Sequence, residues 1–247
     1  MSLSADSRRF SLLSNLLSPL IELDCRVTSL FQRLELGALE VCLAPFALVF
    51  GWFGTTLCVM PLMYLVHGER GLRFWLVSCC MGQIVNRFLK QIVQRVRPAI
   101  VQPEPRRFLA ALKRYLYNNV HAKGNKDGAS FPSGDTMSAG VAGGCLAILY
   151  GSPLPVLLPM LASVGRQYYF CHYWLDTLVG GSIGFIAPFV VDSYVHRGHS
   201  HKNLTNNQVA VCAIVFLVLM KVSTPISRRV RVSVFGLPAG RLGVKSE

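Results

Sequence analysis

The chain has 247 residues, of which 52% are hydrophobic and only 15% are charged, whereas soluble globular domains carry about 25% charged residues. Its mean hydropathy is +0.42, and apolar runs of bilayer-spanning length recur along it, which excludes an ordinary soluble domain. The net charge is +13. We expect no nucleic-acid partner, because no nucleic-acid-binding motif is present, and we attribute the charge to loops that lie beside anionic membrane lipids.

The chain divides into three segments. The apolar residues of 10–21 follow helical spacing, but this run is interrupted by Pro19 and is too short to cross a bilayer. We therefore expect residues 1–36 to form an amphipathic segment on the membrane surface. Residues 37–196 are expected to form the catalytic membrane domain, and residues 197–247 the last transmembrane helix with a basic tail.

Hydrophobic runs predict an all-α integral membrane protein, a multi-pass bundle of about six transmembrane helices. The polar stretch His67–Gly71 is a turn between the first two runs, and the first run is long enough that it must tilt or break near Gly51. Glycines four residues apart in the third and fifth runs predict close helix packing; they are Gly140, Gly144, Gly180 and Gly184. The six runs are Val41–Val66, Phe74–Val93, Thr136–Tyr150, Pro155–Tyr169, Leu178–Val195 and Val209–Met220.

Neither the cysteines nor the histidines indicate a metal site. Six of the eight cysteines fall inside apolar runs, where they are expected to pack as small side chains without forming a disulfide framework. Their spacing matches no zinc pattern. The His-rich stretch His196–His201 is interpreted as a solvated positive turn. We therefore expect no metal and no other cofactor.

Two polar groups flank the second and third runs. Lys90 and Arg97 end the second run and are seven residues apart, about two helical turns, so both side chains can point into one pocket that binds an anion. Ser133, Gly134 and Asp135 immediately precede the third run. The free N–H groups at such a helix start, together with the Ser133 hydroxyl, suit a phosphate.

A third polar group lies between the fourth and fifth runs. His172 and Asp176 are four residues apart, so on a helix they share a face, and Asp176 can accept a hydrogen bond from one ring nitrogen. The other nitrogen is then free to act as a nucleophile. Arg166 supplies a planar fork of donors suited to phosphate oxygens. Alternating spans bring all three polar groups to one membrane face, and the positive-inside rule predicts that this face is cytoplasmic.

The three groups resemble the signature of the type 2 phosphatidic acid phosphatase (PAP2) superfamily, which includes lipid phosphate phosphatases, isoprenoid diphosphate phosphatases and vanadium haloperoxidases. The matching stretches are Lys90-x6-Arg97-Pro98, Pro132-Ser133-Gly134-Asp135 and Gly165-Arg166-x5-His172-x3-Asp176. The resemblance covers about residues 40–195 and implies a PAP2/haloperoxidase-like helical core that acts without a metal. It implies that His172 attacks phosphorus to form a phosphohistidine and that Asp176 orients it. The residues that it implies as phosphate ligands are Lys90, Arg97, Ser133, Gly134 and Arg166.

Two positions depart from the family pattern. Gly165 stands where the family usually has Ser, and Asp135 stands where it has a His thought to protonate the leaving oxygen. An unperturbed Asp, with a pKa of about 3.9, is ionised at neutral pH and cannot donate a proton. Three interpretations stay open. Burial raises the pKa of Asp135, or the substrate is a diphosphate whose leaving group needs less protonation, or hydrolysis is lost and phosphate binding is kept.

The function expected from these residues is metal-independent hydrolysis of a lipid phosphate or, preferentially, an isoprenoid or other lipid diphosphate. Its partners are the lipid substrate and the surrounding membrane lipids. One alternative is a phosphotransferase that uses the same His172 and an alcohol acceptor. A second is a catalytically silent membrane protein that binds lipid phosphates. A transporter is disfavoured, because the polar residues gather at one interface and do not line the bilayer midplane.

Overall fold

The computed structural model describes residues 19–93, 95–101, 112–115, 117, 118, 129–198, 207, 209–215, 217–219 and 221. Within these residues the regular structure is helical and contains no β-strand, which confirms the all-α fold class. Expectations for the first 18 residues, for most of the connection 99–132 and for the basic tail lie outside the described residues and stay predictions.

We number the principal helices of the described part in chain order. They are α1, residues 19–33; α2, Glu40–Leu48; α3, Met60–Val93; α4, Gly134–Tyr150; α5, Leu157–Tyr168; and α6, Trp174–Gly198. Short helical turns cover Gly37–Leu39, Trp52–Gly54, Thr55–Val59, Pro98–Val101 and Leu154–Val156.

The expected turn between the first two hydrophobic runs is a sharp break inside α3. At the break Gly68 has φ 63° and ψ −163°, a conformation that a residue with a Cβ rarely adopts. The residues on either side of Gly68 therefore form two separate helical arms. The predicted turn at His67–Gly71 is confirmed.

The first hydrophobic run, Val41–Val66, is not one continuous helix. Helix α2 ends at Leu48, and the chain turns before the next helical segment, at Gly51. Ala47 and the rest of the buried face of α2 pack against Tyr169 and its neighbour at the end of α5. Of the two expectations for this run, the break near Gly51 is confirmed.

One described helical segment, Trp174–Tyr194 within α6, is long and apolar enough to cross a membrane by length and composition. Helices α4 and α5 have 17 and 12 residues, whereas about 20 apolar residues are needed to span the hydrocarbon core of a bilayer. Gly37–Leu48 and Val209–Leu219 are shorter apolar helices. The number of spans, six, therefore stays a prediction.

Glycines allow α4 and α6 to pack with their backbones in contact. A Cβ added at Gly140 would overlap the carbonyl oxygen of Gly181, and one added at Gly184 would overlap the carbonyl oxygen of Met137. Gly144 and Gly180 are equally close to the opposite backbone. The close packing predicted from the glycine spacing is confirmed, and these two helices form the most extensive helix pair among the described residues.

The core holds the polar ends of three helices together. Side chains of α3, α4 and α5 pack in one cluster that includes Trp75, Val141 and Ala162, while α6 lies against α4. As a result, the C-terminal end of α3, the N-terminal end of α4 and the loop between α5 and α6 all meet at one end of the bundle, as the sequence predicts.

The α4–α6 contact gives a stability prediction. Gly184→Ala places a methyl group against the backbone of Met137, which cannot move without separating the helices, so we expect it to lower the free energy of unfolding by about 1–3 kcal/mol. Thermal unfolding in detergent measures this loss. Ser182→Ala, at an exposed position on the same helix, is the matched control. Equal midpoints for the two variants would contradict the packing.

Candidate active site

His172 lies in the tight loop between α5 and α6 and is almost completely buried, with 2% of its surface exposed. Two residues before it, Phe170 adopts a left-handed conformation with φ 59°. Such a conformation is unfavourable for a bulky residue and persists only where packing holds it. Here Phe170 packs edge-on against Tyr117, with 5.5 Å between ring centroids, and against Ala99. The loop is therefore fixed by the segment that follows Arg97.

The expected direct hydrogen bond between His172 and Asp176 is not formed. His172 precedes α6, so the two residues do not share a helical face, and Nδ1 of His172 lies 3.7 Å from Oδ2 of Asp176. The hydroxyl of Ser130 bridges them: it donates to Asp176 Oδ2, and its Oγ lies 3.2 Å from His172 Nδ1. Because the hydroxyl proton is given to Asp176, Oγ accepts from Nδ1, which places the ring proton on Nδ1.

The other ring nitrogen of His172 faces a cation. Nη1 of Arg97 lies 3.3 Å from Nε2 and donates to the carbonyl oxygen of Cys171 at the same distance. Burial, together with the positive charges of Arg97, Arg166 and Lys90, lowers the pKa of His172 well below its ordinary value of 6.5. The imidazole is therefore neutral at neutral pH, with an unprotonated Nε2 directed at the cationic pocket.

Asp135 forms an ion pair inside this pocket. Its Oδ2 lies 2.7 Å from Nη1 of Arg166, and 27% of its side chain is exposed. Asp135 is in the first turn of α4, before the apolar run Thr136–Tyr150. Burial acts to raise its pKa, but the charges of Arg166 and of the other basic groups outweigh burial, and the net effect lowers the pKa of Asp135. The interpretation in which burial keeps Asp135 protonated is therefore disfavoured.

One nitrogen of the Arg166 guanidinium donates to a carbonyl oxygen of α2, and another has no hydrogen-bond partner among the described residues. Its Nη1 donates to the carbonyl oxygen of Ala47 at 3.1 Å, while its Nε is buried and has no hydrogen-bond partner among the described residues. A buried guanidinium donor without a partner is costly and suits an anionic ligand. Gly165 permits the contact with α2, because a Cβ there would lie 3.1 Å from the Cβ of Ala47. A family-like Ser at 165 would crowd this approach.

The remaining predicted phosphate ligands have partners within the protein. Nζ of Lys90 donates to the carbonyl oxygen of Ala129 at 3.2 Å, which directs it towards Ser130 and the pocket. The Ser133 hydroxyl caps α4: its Oγ accepts from the backbone N–H of Thr136 at 3.3 Å. Gly134 is the first residue of α4. The roles of Lys90, Ser133 and Gly134 towards phosphate stay predictions.

Sequence reasoning missed two residues that hold Asp176. Ser130 is one, and Arg95 is the other, since its Nη1 lies 3.1 Å from Asp176 Oδ1. The backbone N–H of Tyr173 also donates to Asp176, at 2.9 Å. Both missed side chains stand two residues before a motif residue, Pro132 or Arg97, but neither spacing reveals a contact that depends on how the loops fold.

No group of three or more His, Cys, Asp or Glu side chains with the geometry to hold a metal ion occurs within the described ranges. Metal independence stays a prediction, to be tested with a chelator.

The geometry gives a titration prediction. Since the pKa of His172 is lowered, its ring should stay neutral as the pH falls through 6.5 and gain a proton only in more acidic solution. Side-chain NMR of histidine-labelled protein measures this, with His172→Gln used to assign the signal. His67, which packs edge-on against Tyr150 at the far end of α4, is a histidine outside the pocket for comparison. A His172 midpoint at or above 6.5 would contradict the electrostatics.

Comparisons with known proteins agree with this geometry. The model of the family described as PAP2 superfamily matches residues 71–199, which is more than half of the chain. The fold is similar to that of Aquifex aeolicus LpxE, with a TM-score of 0.54 and 20% identity over 70% of this chain and 96% of that one.

It is also similar to a transmembrane PAP2-type phosphatidylglycerolphosphate phosphatase from Bacillus subtilis, with a TM-score of 0.54 and 18% identity over 78% of this chain and 95% of that one. A search of curated proteins gave no significant match. The family match, supported by the fold and by the grouping of the three motifs, shows that the chain belongs to the PAP2 superfamily.

Proposed function

We propose that this chain hydrolyses a lipid phosphate through a phosphohistidine at His172, with a preference for lipid diphosphates such as isoprenoid diphosphates. The observation that carries the proposal is the orientation of the His172 ring. Ser130 accepts from Nδ1, so that unprotonated Nε2 faces Arg97 in a buried, positively charged pocket. A neutral nitrogen beside fixed cations is the arrangement that attack on phosphorus requires.

The reaction proceeds in two steps. The lone pair of His172 Nε2 forms a bond to phosphorus, and the bond from phosphorus to the leaving oxygen breaks. Arg97, Arg166 and Lys90 stabilise the negative charge on the equatorial oxygens, and the backbone N–H of Gly134, the first residue of α4, assists them. Water then attacks the phosphohistidine, the P–N bond breaks, and inorganic phosphate leaves.

Asp135 supports the preference for diphosphates. The Asp135 carboxylate, paired with Arg166, is ionised and has no proton to give to a leaving alkoxide. Protonation of the leaving group by a general acid is worth on the order of a hundred- to ten-thousand-fold. A diphosphate avoids this loss, because its leaving group is itself a phosphate, which is stable without the proton. In the second step the same carboxylate can accept a proton from the attacking water.

The structural neighbours support a lipid substrate in general terms. The Bacillus subtilis protein is named as a phosphatidylglycerolphosphate phosphatase, so this fold accommodates a phosphate group on a membrane lipid. In the present chain Asp176 lies in the first turn of α6, at the start of the segment Trp174–Tyr194 that is long and apolar enough to cross a membrane. The reacting phosphate is therefore expected at the polar end of α6, with the lipid tail in the bilayer.

Asp135 also favours a second candidate function. An ionised carboxylate has no proton for a leaving alkoxide, whereas Lys90 and Arg97 can still bind a phosphate, so the same pocket suits a protein that binds lipid phosphates without turning them over. A phosphotransferase is the third candidate and differs only in the second step, where the hydroxyl of an acceptor replaces water. The next experiment separates all three.

We expect phosphate release from an isoprenoid diphosphate to exceed release from phosphatidate when the detergent-purified chain is assayed with a chelator present. His172→Ala should abolish release, and His67→Ala is the matched control, because His67 lies at the other end of α4. Asp135→His should raise release from phosphatidate by about tenfold or more, since it restores a proton donor.

Each alternative has its own signature in this assay. No release by the parent, but release by Asp135→His, would identify a binding protein built on the same site. Consumption of substrate that requires an added alcohol, with the phosphoryl group recovered on that alcohol and no inorganic phosphate released, would identify the transferase. Faster release from phosphatidate than from the diphosphate by the parent would overturn the proposed preference.

The bridging hydroxyl gives a further prediction. Ser130→Ala removes the acceptor that holds the proton on His172 Nδ1, so the ring loses its fixed tautomer and orientation. We expect kcat to fall by about ten- to a hundredfold with little change in KM, because misplacement of a reacting group acts on the chemical step. Ser78→Ala, at a buried serine whose hydroxyl donates to the Phe74 carbonyl oxygen away from the pocket, is the control. An unchanged kcat would exclude the bridging role.

A further inference from the structure

Helix α1 buries polar side chains and exposes several large apolar ones, together with the charged side chains of Glu22 and Arg26. Asp24, Thr28 and Gln32 recur at every fourth residue and are buried against the protein. The large apolar side chains of the same helix are exposed; they are Leu20, Ile21, Leu23 and Leu30. This is the reverse of a helix on the surface of a soluble protein. It fits a helix whose outer side contacts lipid and whose inner side makes specific polar contacts.

The inner side of α1 caps the helix that carries Asp176. The backbone N–H of Trp174 donates to Thr28 Oγ1 at 2.9 Å, and that of Leu175 donates to Asp24 Oδ1 at 2.7 Å. The first N–H groups of a helix have no partner inside the helix. For α6 these partners come from a helix about 150 residues earlier in the chain.

Asp24 is also connected to Asp176 through one guanidinium. Its Oδ2 lies 2.5 Å from Nη2 of Arg95, and Nη1 of Arg95 lies 3.1 Å from Asp176 Oδ1. Both carboxylates are fully buried, and the Arg95 guanidinium stacks 3.7 Å from the ring centre of Tyr173. The guanidinium is thus held between two carboxylates and an aromatic face, and its position fixes that of Asp176.

The C-terminal end of α1 has a separate contact, with Lys113. Nζ of Lys113 donates to the carbonyl oxygens of Gln32 and Leu34, at 3.0 and 3.1 Å, and lies 3.8 Å from the ring centre of Tyr168. A cation at the C-terminal end of a helix satisfies carbonyl groups that lack intrahelical partners. Helix α1 is therefore held near its middle by the contacts with α6 and Arg95, and at its C-terminal end by Lys113.

We propose that Asp24 is a positioning residue: acting through Arg95, it holds Asp176, and with it Ser130 and His172, in the geometry that phosphoryl transfer requires. Helix α1 then completes the active site from outside the family match, which begins at residue 71. The kinetic test of this inference rests on the proposed function, whereas the spectroscopic test does not. Its consequence is that a helix with an exposed, lipid-facing apolar side sets the orientation of the catalytic histidine.

The kinetic test uses the full chain reconstituted in phospholipid vesicles. Asp24→Asn should lower kcat by about ten- to a hundredfold with KM within about twofold of the parent, and Asp24→Glu should recover part of the loss. Glu22→Gln is the matched control, because Glu22 is an exposed acid on the same helix whose ion pair among the described residues is with Arg26. Once Arg95→Met is present, Asp24→Asn should cause no further loss, since the effect of Asp24 passes through Arg95.

Three outcomes would overturn the proposal. They are an unchanged kcat in Asp24→Asn, fully additive losses in the double variant, or an equal loss in Thr28→Val, which loosens the cap without touching Arg95. If Asp24→Asn does not fold, Arg95→Lys carries the test, because an ammonium group cannot hold both carboxylates as the guanidinium does. Normal kcat in Arg95→Lys would then exclude the relay.

The spectroscopic readout separates this proposal from the proposed function. In the histidine NMR spectrum Asp24→Asn should shift the ring signals of His172, and Glu22→Gln should leave them unchanged. A parent without phosphatase activity, but with this shift, would overturn the proposed function and retain the role of Asp24. An active parent whose His172 signals do not respond to Asp24→Asn would overturn the role of Asp24 alone.

Discussion

The buried carboxylate of Asp176 is the group on which the polar segments converge. One oxygen accepts from the Ser130 hydroxyl and from the backbone N–H of Tyr173, and the other is paired with Arg95. Its own backbone carbonyl oxygen accepts from the N–H of Ser133, at 2.8 Å. Each of the three motif segments therefore has a bond to this one residue. A buried carboxylate is tolerated only when it is satisfied in this way, so the fold at this end of the bundle and the geometry of His172 have the same origin.

The charge of the pocket follows from the same constraint. The cations Lys90, Arg97 and Arg166 are close enough to keep His172 neutral, and Asp135 is paired with Arg166 in the same pocket. One positive potential accounts for both the neutral histidine and the ionised aspartate, because it disfavours a proton on either group. As a member of the PAP2 superfamily the chain is a phosphatase by class, and this potential is the feature that suits it to an anionic substrate.

Much of the fold and of the site was predictable from local patterns. The glycines of α4 and α6, the turn at Gly68 and the meeting of the motifs at one end of the bundle follow from periodicity and from the order of the spans. The contacts made by Ser130, Arg95 and Asp24 did not follow, because they join segments up to about 150 residues apart through loops whose course no periodicity encodes. The prediction of a direct hydrogen bond between His172 and Asp176 was wrong for the same reason. The four-residue spacing was interpreted as part of one helix, but α6 begins only at Trp174.

The contact between Gly165 and Ala47 changes the meaning of one departure from the family pattern. Read along the sequence, the missing serine is the loss of one hydroxyl. In three dimensions the space of that side chain is taken by α2, whose carbonyl oxygen accepts from Arg166. A Cβ at position 165 would lie 3.1 Å from both the Cβ and the backbone nitrogen of Ala47, so a larger residue there requires α2 to shift by a few tenths of an ångström. At this motif the difference from the family lies in the segment that packs beside Arg166, while Arg166 itself is kept.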